Sequence, residues 1–347
     1  MFNYMERIQE LDILKAFAII MVLIGHANCP QYLYHVVYLV HVPLFFMVSG
    51  CTSRDDESYY NANNVKQFIK KRVKTLYIPF LKYSIPIVLL HNIFTWVGFN
   101  NHYYTLVEYL KQLLRTLLFS IGKEPLLDQL WFIKVLFLAE VYYTTIVYIT
   151  YRMKINKWLI LFPLIFISTM VPSEVFPKIF ETNLLWPFKA IFFYVLGRIL
   201  MKKFNYARKK LKNYIYWLIF IAWLISPLFF HSSFHDGFGL MFFVIVAFTI
   251  AVGLLLIKIG NLLKQYTRPN IIYAILMIGG STMPIYCLHN VVFKILSYIY
   301  LKLSNGPIEI LATTKCISSL HWTIYVIFGI IIPLLLKHFF DRVVNHK

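Results

Sequence analysis

Three polar residues interrupt the first apolar run of the chain: Asp12, Lys15 and His26. Lys15 and His26 stand eleven residues apart. At about 100° per residue, that spacing returns both side chains to nearly one face of a helix, separated by about 16 Å along its axis. A cation and an imidazole so placed suit a long substrate whose charge is remote from its reactive centre. A coenzyme A thioester is such a molecule, with phosphates at one end and the thioester carbonyl at the other. Lys15 would hold a phosphate as a point charge. His26 would take the proton of an attacking hydroxyl, because an imidazole titrates near neutral pH. A plainer reading stays open beside this one. Lys15 would snorkel to the membrane edge, Asp12 would pair with it at i,i+3, and His26 would bond a neighbouring helix.

Other polar residues are spread among apolar stretches. His41 opens the run His41-Val42-Pro43-Leu44-Phe45-Phe46-Met47-Val48-Ser49-Gly50, where Pro43 frees a carbonyl and Ser49-Gly50 permits close helix packing. The basic run Lys70-Lys71-Arg72-Val73-Lys74 abuts a helix start and can meet donor phosphates or lipid headgroups. Trp131 follows Asp128-Gln129-Leu130 as an interfacial anchor, and Lys134 and Glu140 farther along need partners inside the bundle. His289 closes the segment Pro284-Ile285-Tyr286-Cys287-Leu288-His289. It is expected in the inner half of the membrane, touching the donor or bracing a neighbour. His231 and His235 have metal-ligand spacing beside Asp236, but no third ligand is apparent and no metal is expected. Cys29, Cys51, Cys287 and Cys316 form no CxxC pair; a Cys29–Cys316 disulfide would need a geometry that sequence does not supply.

These residues must be positioned by membrane helices. The chain is 59% hydrophobic, which excludes an ordinary soluble domain. Apolar runs long enough to span the hydrocarbon recur near 11–29, 35–52, 76–97, 129–150, 157–172, 183–200, 214–231, 238–257, 282–302 and 318–337. The reading is therefore an all-α polytopic membrane protein of about ten helices, forming one integral-membrane domain over 1–347 with no soluble domain. The net charge of +19 sits between the apolar runs rather than in one patch, which argues for anionic lipid and against nucleic acid. With the N-terminus inside, the inner loops carry Arg54, Lys66, Lys70, Lys71, Arg72 and Lys74, then Arg152, Lys154 and Lys157. They continue with Lys202, Lys203, Arg208, Lys209, Lys210 and Lys212, then Lys258, Lys264 and Arg268. The outer loops carry Lys111, Arg115, Lys123, Lys178 and Lys315. This bias predicts both termini on the cytoplasmic side. Residues 106–121 have the spacing of an amphipathic helix lying on the membrane surface, and Gly279, Gly280 and Pro284 predict a helix break over 279–284.

Together these segments resemble the acyltransferase-3 family of membrane O-acyltransferases. The likeness rests on Arg7-x4-Asp12-x2-Lys15-x10-His26, the His41–Gly50 segment, the RxxR-like pair Lys71 and Lys74, Leu130-Trp131-Phe132, and Pro284–His289. The resemblance implies His26 as the catalytic histidine and Lys15, Lys71, Arg72 and Lys74 around the donor. Asp12, His41, Ser49, Trp131 and His289 are read as lining the cavity. It also implies acetyl-CoA as donor and a cell-envelope glycan or lipid-linked oligosaccharide as acceptor, in a bacterial cytoplasmic (inner) membrane. Lysine replaces arginine at both RxxR-like positions, which removes bidentate phosphate contacts there. Some relatives carry an extracytoplasmic hydrolase-like domain; here either direct transfer or a separate extracytoplasmic transferase would complete the reaction. An acyl-histidine relay through His26 remains an alternative to direct attack. A transporter or flippase of a lipid-linked sugar is the rival reading, since it also needs broken helices and polar groups at membrane depth.

Overall fold

The computed structural model describes residues 9–120, 124–172, 175, 178–179, 182–210 and 212–345. Arg7, Lys123, Lys347 and the side chains of Lys202, Lys203, Arg208, Lys209 and Lys210 lie outside that description. The described chain is helical apart from a short antiparallel pair, β1 (Lys178–Ile179) and β2 (Thr182–Asn183).

Each expected segment coincides with helix. In chain order these are α1 (Gln9–His26), α2 (Gln31–Tyr38) with α3 (His41–Cys51), and, after α4 (Ala62–Arg72), α5 (Ile78–Leu89) with α6 (His91–Trp96). After α7 (Leu106–Leu117) come α8 (Trp131–Arg152), α9 (Trp158–Met170), α10 (Trp186–Lys210), α11 (Asn213–Ile225) and α12 (Leu240–Tyr266). The series closes with α13 (Pro269–Gly280), α14 (Thr282–Leu303) and α15 (Trp322–Asn345). Among the described residues, five stretches are long and apolar enough to cross a membrane: Gln31–Cys51, Pro125–Arg152, Leu240–Tyr266, Thr282–Leu303 and Trp322–Val343. They make this a multi-pass membrane protein. Other segments fall short for visible reasons. α1 carries Glu10, Asp12 and Lys15, α9 has 13 residues, and the 76–97 run is divided at Leu90. The break expected over 279–284 falls at Ser281, between α13 and α14.

The chain divides into two compact units, each built from separated segments. The first comprises Met1–Gly25, Cys29–Ser53 and Phe193–Thr282. Its helices meet where side chains are smallest. A β-carbon on Gly50 of α3 would lie 1.9 Å from the Tyr194 carbonyl oxygen of α10, and one on Gly197 of α10 would lie 1.9 Å from the Met47 carbonyl oxygen. These reciprocal contacts bring the two backbones together, and the Cys51 thiol donates to the Gly197 carbonyl at 3.4 Å. Gly279 of α13 meets the Asp12 carbonyl of α1 in the same way, and the Trp223 indole donates to the Val36 carbonyl at 2.9 Å.

The second unit comprises His26–Asn28, Arg54–Phe192 and Met283–Lys347. Asp56 accepts from Tyr143 at 2.8 Å and pairs with Lys157, fixing the loop before α4 to α8 and to the start of α9. α7 begins with a capping box between Thr105 and Glu108. The Thr105 backbone N–H, then the bonds from His102 and the Thr105 hydroxyl, pull the Glu108 carboxyl down to about 2. Leu106, Leu110, Leu114 and Leu117 are exposed while Gln112 and Thr116 are buried. α7 thus turns polar groups to the protein and leucines outward, as a helix resting on lipid would. All four cysteines are free thiols.

Gly50→Ala forces apart the α3–α10 backbones, which cannot admit a methyl group. We expect a loss of about 1–3 kcal/mol, read as a lower unfolding temperature of the detergent-solubilised protein. An unchanged temperature would show that the approach has slack.

Candidate functional site

α1 delivers His26 at its last residue. The helix stops there because Asn28 takes a left-handed conformation, φ 55°, and Pro30 follows. α14 begins after the Ser281 break, with Pro284 in its first turn where a missing N–H costs nothing. Two turns on, it presents His289, fully buried, to His26. Nδ1 of His26 lies 2.8 Å from Nε2 of His289. The rings are 21° from parallel with centroids 5.0 Å apart, the separation of imidazoles meeting edge to edge through a hydrogen bond.

The partners of His289 assign the protons along this pair. Its Nδ1 lies 2.7 Å from the Tyr286 carbonyl and 3.2 Å from that of Ile285, and carbonyls only accept. Nδ1 of His289 therefore carries hydrogen, and Nε2 of the neutral ring is an acceptor. His26 then donates from Nδ1, which leaves its own lone pair on Nε2. A backbone carbonyl, relayed through one imidazole, thus sets the tautomer of the other.

Around the pair runs a closed circuit of polar contacts. The Tyr286 hydroxyl donates to the Gln129 carbonyl, and the Asn290 amide donates to the Gln129 side-chain oxygen. The same amide lies 3.4 Å from Asp128, whose carboxylate takes Lys315 at 2.7 Å on both oxygens. The next residue, Cys316, donates from its thiol to the His26 carbonyl at 3.4 Å. Burial pushes the Cys316 thiol up to about 12, against the opposing pull of the Lys315 ammonium. The loop bearing Lys315 is held from both sides. Ser297 donates to the Lys315 carbonyl at 3.1 Å, and the Ile317 N–H donates to the Tyr325 hydroxyl at 3.0 Å.

The sequence-predicted residues fare differently. His26 and His289 are joined, His289 meeting the C-terminal residue of α1. Lys15 pairs with buried Asp12 at 2.6 Å, as the plainer reading held. Arg72 is engaged by Glu140 at 2.8 Å, a carboxylate with no solvent exposure, while Lys70, Lys71 and Lys74 of the basic run are exposed. Lys74 lies in a single π-helical turn, Val73–Tyr77, between α4 and α5. His41 donates from Nδ1 to the Val37 carbonyl, 2.8 Å away. Ser49 is half-buried, and its carbonyl accepts from Thr52 at 3.0 Å. Trp131 meets Trp186 edge-on at 5.2 Å. Gln129, Asn290 and Lys315 were not singled out by sequence. The available signals were two polar residues opening the fourth span and an asparagine directly after His289.

A family model described as an acyltransferase domain matches residues 8–338. No curated protein and no solved structure matches the chain.

Arg72→Ala removes the ionic partner of a carboxylate shielded from water and should cost about 3–5 kcal/mol in thermal unfolding. Replacing both partners, Arg72→Met with Glu140→Leu, should restore most of that loss; equal damage in both variants would show that the pair itself is not the cause. Cys316 should resist maleimide at pH 7.5 in the folded protein and react readily once denatured, because the thiolate is the nucleophile. Equal rates would contradict the buried thiol.

Proposed function

Because this chain belongs to the acyltransferase-3 family, we propose that it is a membrane O-acetyltransferase acting on carbohydrate. It would move an acetyl group from acetyl-CoA on the cytoplasmic side to a sugar hydroxyl of an extracytoplasmic or lipid-linked cell-envelope polysaccharide. The observation that carries this reading is the hydrogen bond from His26 Nδ1 to His289 Nε2. It supports a general base whose reactive nitrogen is defined before substrate arrives.

The chemistry then balances on one imidazole. Nε2 of His26 takes the hydroxyl proton as the sugar oxygen attacks the thioester carbonyl carbon. A carbon–oxygen bond forms, the carbon–sulfur bond breaks, and CoA leaves as thiolate. The His26 imidazolium returns its proton to that sulfur, giving free CoA and an acetyl ester. His289 stays neutral throughout and accepts the bond from the charged ring. Lys15, Lys71 and Lys74 would meet the donor phosphates. The engagement of Arg72 by Glu140 argues that Arg72 serves the fold first and does not replace the missing RxxR arginines. The membrane would be the bacterial cytoplasmic membrane with both termini inside, supported by the loop charges.

His26→Ala should abolish glycan O-acetylation while leaving abundance and acetyl-CoA-dependent thermal stabilisation intact. His289→Leu should lower kcat by about 10²–10⁴-fold with little change in the KM for acetyl-CoA, since it removes the acceptor that orients the base. His289→Gln, which offers an oxygen at a similar reach, should recover part of that loss. Retained acetylation in His26→Ala would sink the mechanism. Absence of any stabilisation by acetyl-CoA would favour a transporter of lipid-linked sugar.

A further inference from the structure

The circuit beside His26 contains more polar groups than the proton relay uses. Asp128, Asn290 and Lys315 take no part in fixing the tautomer of His26, yet they join into the same ring of contacts. The ring grades in exposure. The Asp128 side chain is 56% exposed, Lys315 is 29% exposed, and Asn290 is fully buried. It therefore leads from solvent-accessible charge to a buried amide adjoining His289. The Asn290 side-chain oxygen has no hydrogen-bond partner. A buried acceptor without a donor is unfavourable unless something else supplies one. The Asp128–Lys315 pair, being partly exposed, contributes little by itself and gives way readily to a ligand that satisfies both ions.

We propose that Asp128, Asn290 and Lys315 form the acceptor subsite, and that it takes a polyol: the adjacent hydroxyls of a sugar ring. This rests on the acyl-transfer reading of His26. A hydroxyl both donates and accepts, so neighbouring hydroxyls match a set that alternates carboxylate, ammonium and amide. The carboxylate and the free amide oxygen accept from the sugar, and the ammonium donates to it. A simple alcohol has one hydroxyl and would leave most of these groups unpaired. The Lys315 loop is tied to the His26 carbonyl through Cys316, so a ring seated on Lys315 and Asn290 has a hydroxyl beside His26. Trp131, on the helix that follows Asp128 and Gln129, adds an aromatic surface of the kind that sugar C–H faces pack against. Lys294 supports the ring from behind. It is buried and donates to the carbonyls of Phe99 and Leu311, which pins the loop before α7 and the chain after α14 to one helix face.

The test is saturation-transfer NMR on the full-length protein in detergent. The probes are methyl glucoside, methyl N-acetylglucosaminide and methyl rhamnoside, with n-butanol as the single-hydroxyl control. At least one glycoside should bind and butanol should not. Asp128→Asn and Asn290→Leu should each weaken that glycoside roughly tenfold or more, the scale of a lost charged or buried hydrogen bond. A monodisperse elution profile shows that each variant is folded. His26→Ala should still bind the glycoside. Binding that is unchanged in Asp128→Asn and Asn290→Leu, or no glycoside binding at all, would overturn the subsite. Asp128-dependent binding without acyl transfer from acetyl-, propionyl- or succinyl-CoA would overturn the reaction proposed above and leave the subsite standing.

Discussion

One hydrogen bond organises the candidate site of this protein and the chemistry proposed for it: His26 Nδ1 to His289 Nε2, at 2.8 Å. An imidazole alone has two tautomers, and a base needs its lone pair on a known nitrogen. Here the choice is made outside His26, by the Tyr286 carbonyl acting through His289. That carbonyl is itself set by the start of α14, where the Ser281 break and Pro284 begin a fresh helix. On the other side, Asn28 ends α1 at the turn that His26 occupies. Two helix boundaries thus decide which nitrogen carries the proton.

The same constraint explains how a membrane helix tolerates so many polar groups. α14 is apolar enough to cross a membrane, yet Tyr286, Asn290, Lys294 and Ser297 lie on it at intervals of three or four residues. These intervals place them along one stripe. Isolated in hydrocarbon, a lysine costs about 2.5–3.5 kcal/mol on insertion scales. Lys294 avoids isolation by donating to two loop carbonyls, and Ser297 by bonding Tyr325 and the Lys315 carbonyl. The stripe therefore does two jobs: it satisfies itself, and it ties otherwise irregular loops to a helix. Arg72 and Glu140 follow the same logic as a shielded ion pair.

What sequence revealed follows from the range of each interaction. The α1 spacing, the Asp12–Lys15 pair and the helix break all act within a few residues, so periodicity, charge offset and Gly/Pro punctuation exposed them. The amphipathic α7 was legible for the same reason, with its leucines at helical spacing. The His26–His289 contact joins residues 263 positions apart, and no local pattern encodes it. The Asn290 stripe has a helical period, but the period does not say which distant residues it meets. The Arg72–Glu140 pair was not legible either, because Glu140 lies on a different helix 68 positions away.

The two ends of the proposed reaction are built to different tolerances, and the chemistry explains why. A donor phosphate needs charge nearby but not a fixed angle, and exposed Lys71 and Lys74 provide flexible point charges. Proton transfer needs a heavy-atom approach of hydrogen-bond length and a defined lone pair. Rigidity is therefore concentrated at His26, where a buried partner, a backbone carbonyl and a tethered loop converge. A mutation that loosens a lysine changes how often the donor is held. One that frees either imidazole changes whether a held donor can react, because an undirected tautomer presents hydrogen where the attacking hydroxyl needs a lone pair.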